Sequence, residues 1–138
     1  MKRILINTNC LISFVTDRNP TQQEKAYNLF QKAARLEVLI LCHQHVLSEF
    51  VFVLSSVYDT PAKKIHAILS DFIVMPGVMQ VTEVDIKTVL SLWPTVIPDY
   101  GDAVIAAHCK DSKGTAVATF DMKFSKAMKK AAIAIYML

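Results

Sequence analysis

The chain has 138 residues, a size typical of one domain, and we expect a single domain over residues 1–138. Hydrophobic residues make up 53% of the sequence, which excludes an intrinsically disordered chain. The net charge of +3, from 15 basic and 12 acidic residues, is too small to identify a charged partner by itself. Because no apolar stretch approaches the length of a membrane-spanning helix, we expect a cytoplasmic protein without a membrane partner.

The cysteines and glycines further limit the classes of protein to which this chain can belong. An odd number of cysteines without paired spacing predicts free thiols in a reducing compartment, at Cys10, Cys42 and Cys109. The three glycines are scattered along the chain, so no glycine-rich phosphate loop is present. This excludes a P-loop enzyme and a dinucleotide-binding fold of the usual kind.

Apolar residues alternate along the chain between the spacing of strands and the spacing of helices. Strands are predicted at residues 3–6, 38–41, 78–81, 116–119 and 133–136. Helices are predicted between them at residues 8–15, 20–35, 43–58, 60–72, 82–93, 99–113 and 122–130. Strands separated by helices predict an α/β fold with a central parallel sheet sandwiched by helices.

Three local signals fix some of these boundaries. Asn19 followed by Pro20 is typical of a helix N-cap and a first-turn proline. Pro76-Gly77 predicts a turn before the third strand. Thr82 with Asp85 resembles a capping box, which would open the next helix at Thr82.

The most informative segment is the end of the first strand, where Ile6 is followed by Asn7-Thr8-Asn9. Side chains that follow a buried strand lie at the carboxyl edge of a parallel sheet, where open α/β proteins bind ligands. An asparagine at this position can also simply cap the following helix. The segment alone therefore leaves both interpretations open.

Four later acids lie at helix flanks or strand ends that could meet the same edge: Glu49, Asp99, Asp102 and Asp121. Each also has a local explanation. Glu49 could be a solvated flank of its helix, Asp99 an N-cap with Asp102 favoured by the helix dipole, and Asp121 a second N-cap. As a set, however, such acids would repel one another unless a cation neutralised them.

Carboxylate oxygens are hard ligands suited to Mg²⁺ or Mn²⁺. A metal held by a few carboxylates retains water, which can become a nucleophile. The acids therefore predict hydrolysis of phosphodiester bonds with Mg²⁺ or Mn²⁺ as cofactor.

Four motifs in this order resemble the PIN-domain nucleases, and most closely the VapC-type toxins of bacterial and archaeal toxin–antitoxin pairs. The motifs span nearly the whole chain: Ile4 to Leu11, Val46 to Phe50, Asp99 to Ala103 and Ala118 to Asp121. The resemblance implies an endoribonuclease. It assigns catalysis to Asn7, Glu49, Asp102 and Asp121, metal binding to position 7, Asp99, Asp102 and Asp121, and supporting roles to Thr8, Asn9 and Thr119.

Position 7 departs from the family pattern, because Asn7 stands where the resemblance implies the central aspartate. An amide has nearly the same shape as a carboxylate but is neutral, so the fold should survive while metal affinity and catalysis fall. Either the natural protein is degenerate, or the residue was changed to silence a nuclease that is toxic to its host. The other acids are all retained, which favours the second explanation.

Partners follow from the resemblance and from the basic residues. The family implies an RNA substrate, a small cognate antitoxin protein and a homodimer. Lysines crowd the last quarter of the chain, and Lys123 and Lys126 are predicted to bind RNA phosphates. A solvated helix face explains the same lysines equally well.

Other functions remain as alternatives. A non-catalytic PIN-like module that docks RNA or a protein is favoured by Asn7 and opposed by the retained acids. Cys42, His43 and His45 could form a soft-metal site, although no second Cys/His pair has suitable spacing. A phosphoacceptor receiver domain would need a lysine at the end of a late strand, where Thr119 and Phe120 stand instead.

Overall fold

The computed structural model describes residues 1–138 and contains four parallel strands and seven helices. The strands are β1 (Lys2–Ile6), β2 (Val38–His43), β3 (Val78–Val81) and β4 (Thr115–Ala118). The helices are α1 (Thr8–Val15), α2 (Pro20–Ala34), α3 (Gln44–Ser56), α4 (Ala62–Ile73), α5 (Ile86–Leu92), α6 (Tyr100–Asp111) and α7 (Met122–Lys130). The predicted α/β class with a parallel, helix-covered sheet is confirmed.

The strand order β3-β2-β1-β4 places β1 in the interior of the sheet. Ile4, Leu5 and Ile6 are completely buried, as expected for a parallel strand that is covered on both faces. Ile4 pairs with Ile40 on one side and with Ala116 on the other. The hydrophobic run at the start of the sequence therefore forms the centre of the core.

The order in which strands are added to the sheet reverses next to β1. The chain moves outward from β1 through β2 to β3, and then returns to place β4 on the other side of β1. Right-handed crossovers consequently put α1–α4 on one face and α5–α6 on the other. The carboxyl ends of β1 and β4 thus flank the crevice at which ligands bind in open α/β sheets.

Two predictions from the sequence were wrong, namely a fifth strand and the start of the fifth helix. The strand predicted at residues 133–136 is only an isolated bridge between Val117 and Ile135, because the segment leaves α7 through a turn with positive φ at Ala132 and meets β4 at one point. The helix predicted to open at Thr82 begins at Ile86, because the Asp85 side chain accepts the hydrogen bond from the backbone N–H of Lys87 and is itself the N-cap. The other helix and strand ends agree within two residues.

The predicted turn at Pro76-Gly77 is present, and Gly77 has a positive φ of 76°. A side chain at Gly77 would also collide with the backbone carbonyl of Ala33 at the end of α2. All three cysteines are free and buried. No helix is both long enough and apolar enough to cross a membrane.

Candidate functional site

An acidic pocket of about 290 Å³ opens at the carboxyl end of β1. It brings together the residues that the sequence singled out from four separate segments, namely Asn7, Thr8, Asn9, Glu49, Asp99, Asp102 and Asp121. The rest of its wall includes Arg18, His45 and Gly101. Residues separated by more than a hundred positions in sequence thus share one cavity because β1 and β4 are neighbours in the sheet.

Asp99 and Asp121 are helix N-caps, as their local sequences suggested. Oδ1 of Asp99 accepts a hydrogen bond from the backbone N–H of Asp102 at 2.9 Å. Oδ1 of Asp121 accepts from the N–H groups of Lys123 and Phe124, at 2.9 and 3.1 Å. These bonds use only one oxygen of each carboxylate, so capping fixes the side chains and leaves the other oxygen without a hydrogen bond within the chain.

Asp102 lies in the first turn of α6 and is half-buried. Burial, together with the negative charges of Asp99, Asp121 and Glu49, raises the pKa of its carboxyl group to about 7. The Asn7 amide, a hydrogen-bond donor, opposes this rise in pKa. The other three carboxylates therefore lie close enough to Asp102 to repel its negative charge.

Glu49 is an exposed residue of α3 that is tied to the start of α1. The hydroxyl of Thr8 donates a hydrogen bond to Oε2 of Glu49 at 2.6 Å. A Cβ atom at Gly101 would lie 3.0 Å from Oε1 of Glu49 and 3.2 Å from Nε2 of His45. Glycine at position 101 therefore leaves room for these two side chains, which a Cβ atom would push back by a few tenths of an ångström.

The hydroxyl of Thr119 is the polar centre beneath the pocket. It accepts hydrogen bonds from Nδ2 of Asn7 at 2.7 Å, from the backbone N–H of Asp121 at 3.0 Å and from Nδ2 of Asn9 at 3.2 Å. A hydroxyl oxygen has two lone pairs and one proton of its own to donate. Three N–H donors exceed its accepting capacity and leave that proton without an acceptor.

The same network leaves Asn7 incompletely satisfied. Asn7 is buried, its side chain does not cap α1, and its Oδ1 atom has no hydrogen-bond partner. Leaving a buried acceptor unpaired costs about 1–3 kcal/mol. A carboxylate at position 7 would accept the Thr119 proton and present its second oxygen to the pocket, so this environment suits an aspartate better than an asparagine.

The donor set fits a divalent cation in its chemistry. All the candidate ligands are oxygens, and the unpartnered Oδ1 atom of Asn7 is an additional oxygen in the wall. The side chains surround the pocket without converging, since no three His, Cys, Asp or Glu residues are spaced to hold a metal ion. The carboxylates would have to turn inward to ligate a cation.

A larger groove of about 880 Å³ adjoins the acidic pocket and shares Asp99, Asp102 and Asp121 with it. Four lysines line this lysine groove: Lys110, Lys123, Lys126 and Lys130. Apolar side chains, including Leu92, Ile97 and Phe124, also line it. Lys123 and Lys126, which were predicted from the sequence to contact RNA, thus lie beside the acids.

The alternative soft-metal site is not assembled. Cys42 and His43 are buried at the end of β2, and Nε2 of His43 lies 2.9 Å from Nδ1 of His108. Burial, with the neighbouring His108 and His45, lowers the pKa of His43 to about 4. His45 instead lines the acidic pocket one helical turn before Glu49.

Sequence reasoning missed two parts of the site. Arg18 lines the acidic pocket although the sequence offered no signal for it beyond its place in a polar loop. The participation of His45 could have been inferred from its spacing of four residues before Glu49, which puts both on one face of α3.

The fold and the acidic pocket define an α/β protein with carboxylates at the switch point of a parallel sheet. The chain belongs to the PIN-domain family, whose sequence profile matches residues 4–130. PIN domains are generally nucleases that use divalent metal ions. The predicted family membership is thus confirmed.

Two solved structures are similar to this chain. One is a chain of VapBC2 from Rickettsia felis, bound to a DNA fragment from their promoter, with a TM-score of 0.70, 15% identity and 97% of each chain covered. The other is the PIN domain endonuclease Utp24, with a TM-score of 0.55 and 15% identity over 93% of this chain and 77% of that one. No curated protein sequence matches significantly. At such low identity, the structural matches show a shared fold.

Proposed function

We propose that this chain is a metal-dependent endoribonuclease that hydrolyses RNA phosphodiester bonds, and that it is the toxin of a type II toxin–antitoxin pair. The observation that carries the proposal is the meeting of four carboxylates and the unpartnered oxygen of Asn7 in one pocket. The likeness to a VapBC2 chain supports the toxin assignment, with a small antitoxin and a homodimer as the expected assemblies.

Glu49, Asp102, Asp121 and position 7 would provide the catalytic carboxylates, and Asp99, Asp102, Asp121 and position 7 would hold the cation. A bound Mg²⁺ or Mn²⁺ ion would lower the pKa of its water and stabilise charge on the phosphate. Thr8 and Thr119 would fix these ligands, as the hydrogen bonds between Thr8 and Glu49 and between Asn7 and Thr119 already do in part. Asn9 would support them by donating to Thr119. Lys123 and Lys126 would attract the RNA backbone.

Asn7 impairs this chain in the proposed mechanism. It removes one negative charge from the most buried polar position of the pocket wall, which is 5% exposed. Charges act most strongly where water is excluded. Cation affinity and catalysis should both fall.

The test is RNA cleavage by the Asn7→Asp protein, hereafter the restored variant, with Mg²⁺ or Mn²⁺ and with a chelator. Asn28→Asp is the matched control, because Asn28 is an exposed residue of α2 that undergoes the same chemical change. We expect metal-dependent cleavage by the restored variant only. Removing Asp102 or Glu49 from the restored variant should abolish the cleavage again.

The second candidate function is a non-catalytic PIN-like module that binds RNA or a protein partner. The neutral Asn7 side chain is the observation in its favour. If the restored variant cleaves no single-stranded or structured RNA in the presence of either metal, this second function would replace the first.

A further inference from the structure

Arg18 is the one lysine or arginine that lines the acidic pocket. It lies in the connection between α1 and α2, and neighbouring groups hold its guanidinium in place. Nε and Nη2 donate to the hydroxyl of Ser13 at 3.2 and 2.9 Å, and Nη2 also donates to the backbone carbonyl of Asn9 at 3.2 Å. Ser13 is completely buried and donates in turn to Gln22 at 3.1 Å. Arg18 is therefore anchored to a fixed point of the fold.

The charge of Arg18 is not neutralised by these contacts. Its partners are a hydroxyl and a carbonyl, which carry no net charge. The four carboxylates of the pocket make no ion pair with it, since the chain contains only one ion pair, between Arg35 and Glu37. Nη1 of Arg18 makes no hydrogen bond within the chain. A positioned guanidinium with free N–H groups is well suited to bind a phosphate.

The acids connect the pocket that Arg18 lines to the lysine groove. Arg18 lines only the acidic pocket and Lys123, Lys126 and their neighbours line only the groove, whereas Asp99, Asp102 and Asp121 line both cavities. A strand whose phosphates were held by the lysines alone would be fixed on one side of the carboxylates. A second cation on the other side would hold the strand across them.

We propose that Arg18 binds a backbone phosphate of single-stranded RNA on the side of the acidic pocket away from the lysine groove. This inference rests on the proposed function and extends it by assigning a path to the substrate. Each phosphate contact releases counterions, and so contributes about 0.7 to the slope of log affinity against log salt for single strands. A role limited to tethering the α1–α2 connection would leave that slope unchanged.

The experiment measures RNA binding by the chain with Asn7, so that cleavage does not interfere. The probe is a fluorescein-labelled single-stranded RNA of about 12 nucleotides, followed by fluorescence anisotropy over a range of salt concentrations. Arg18→Gln removes the charge, and Ser13→Ala keeps the charge but removes its anchor. Arg35→Gln is the matched control, because Arg35 is an exposed arginine outside both cavities.

Arg18→Gln should weaken binding about three- to tenfold at low salt and lower the salt slope by about 0.7. Ser13→Ala should weaken binding with the slope retained, and Arg35→Gln should change neither quantity. Arg18→Lys keeps a point charge and should keep the slope, which preserves the test if Arg18→Gln does not fold.

If the parent chain binds RNA and Arg18→Gln shows the same salt slope, the role of Arg18 is overturned and the proposed function remains intact. An equal loss of RNA affinity in Arg35→Gln would also overturn the role of Arg18, because the effect would then be one of net charge. Failure of the parent chain to bind any single-stranded RNA would contradict the proposed function itself, and the assignment of Arg18 would fall with it.

Discussion

Asp102→Asn should stabilise the protein in the absence of metal. Asp102 is a half-buried carboxylate whose pKa is raised from 3.8 to about 7 by burial and by the charges of Asp99, Asp121 and Glu49. Between these pH values the folded chain binds more protons than the unfolded chain, so stability falls as the pH rises from about 4 to about 7. Asparagine has no proton to lose there, and the variant avoids this fall.

The expected gain in the free energy of unfolding follows from the pKa of Asp102. A rise of about three pKa units corresponds to about 4 kcal/mol at full effect. Because the Asp102 side chain is half-buried, water screens part of this energy. We therefore expect Asp102→Asn to raise the free energy of unfolding by about 1–2 kcal/mol above pH 7. The gain should shrink towards zero near pH 4, where the aspartate is protonated in the folded chain and about half protonated in the unfolded chain.

Urea unfolding at about pH 4 and about pH 8 with a chelator present measures the effect. Asp71→Asn, at an exposed position of α4, is the control for loss of one negative charge. Adding Mn²⁺ should stabilise the parent chain more than Asp102→Asn. A variant that is no more stable than the parent at pH 8, or a gain of equal size at both pH values, would refute the electrostatic argument.

Two further predictions concern the groove and the helix start. Replacing Lys123 and Lys126 together by glutamine should weaken RNA binding and lower the salt slope by about 1.4, whereas an unchanged slope in a salt titration would assign both lysines to solvation. Gly101→Ala should leave thermal stability nearly unchanged or higher, because alanine favours helix, but should reduce cleavage by the restored variant at least tenfold because its Cβ displaces Glu49 and His45. Full activity in Gly101→Ala would show that the position of Glu49 does not matter.

Much of the fold was predictable because its signals are local. Asn19 caps α2 as predicted and accepts a hydrogen bond from the backbone N–H of Gln22 at 3.0 Å. The apolar run from Ile4 to Ile6 is a buried strand, and the polar segment after it does reach the sheet edge. The start of α5 was mispredicted because Thr82 and Asp85 are both good caps, and sequence alone does not decide which one meets a free N–H group.

The sequence by itself determined which side chains could take part in a site, because residue type and strand ends are local properties. It pointed to Asn7 as the anomalous position and to the acids as its partners. Only the tertiary structure decided that these residues share a pocket, because adjacency of β1 and β4 depends on the order of strands in the sheet. The same long-range packing placed the Asn7 and Asn9 amides on Thr119, which already accepts a local hydrogen bond from Asp121, and it left Asn7 Oδ1 unpaired. It also brought Arg18 to the pocket wall beside residues from distant segments.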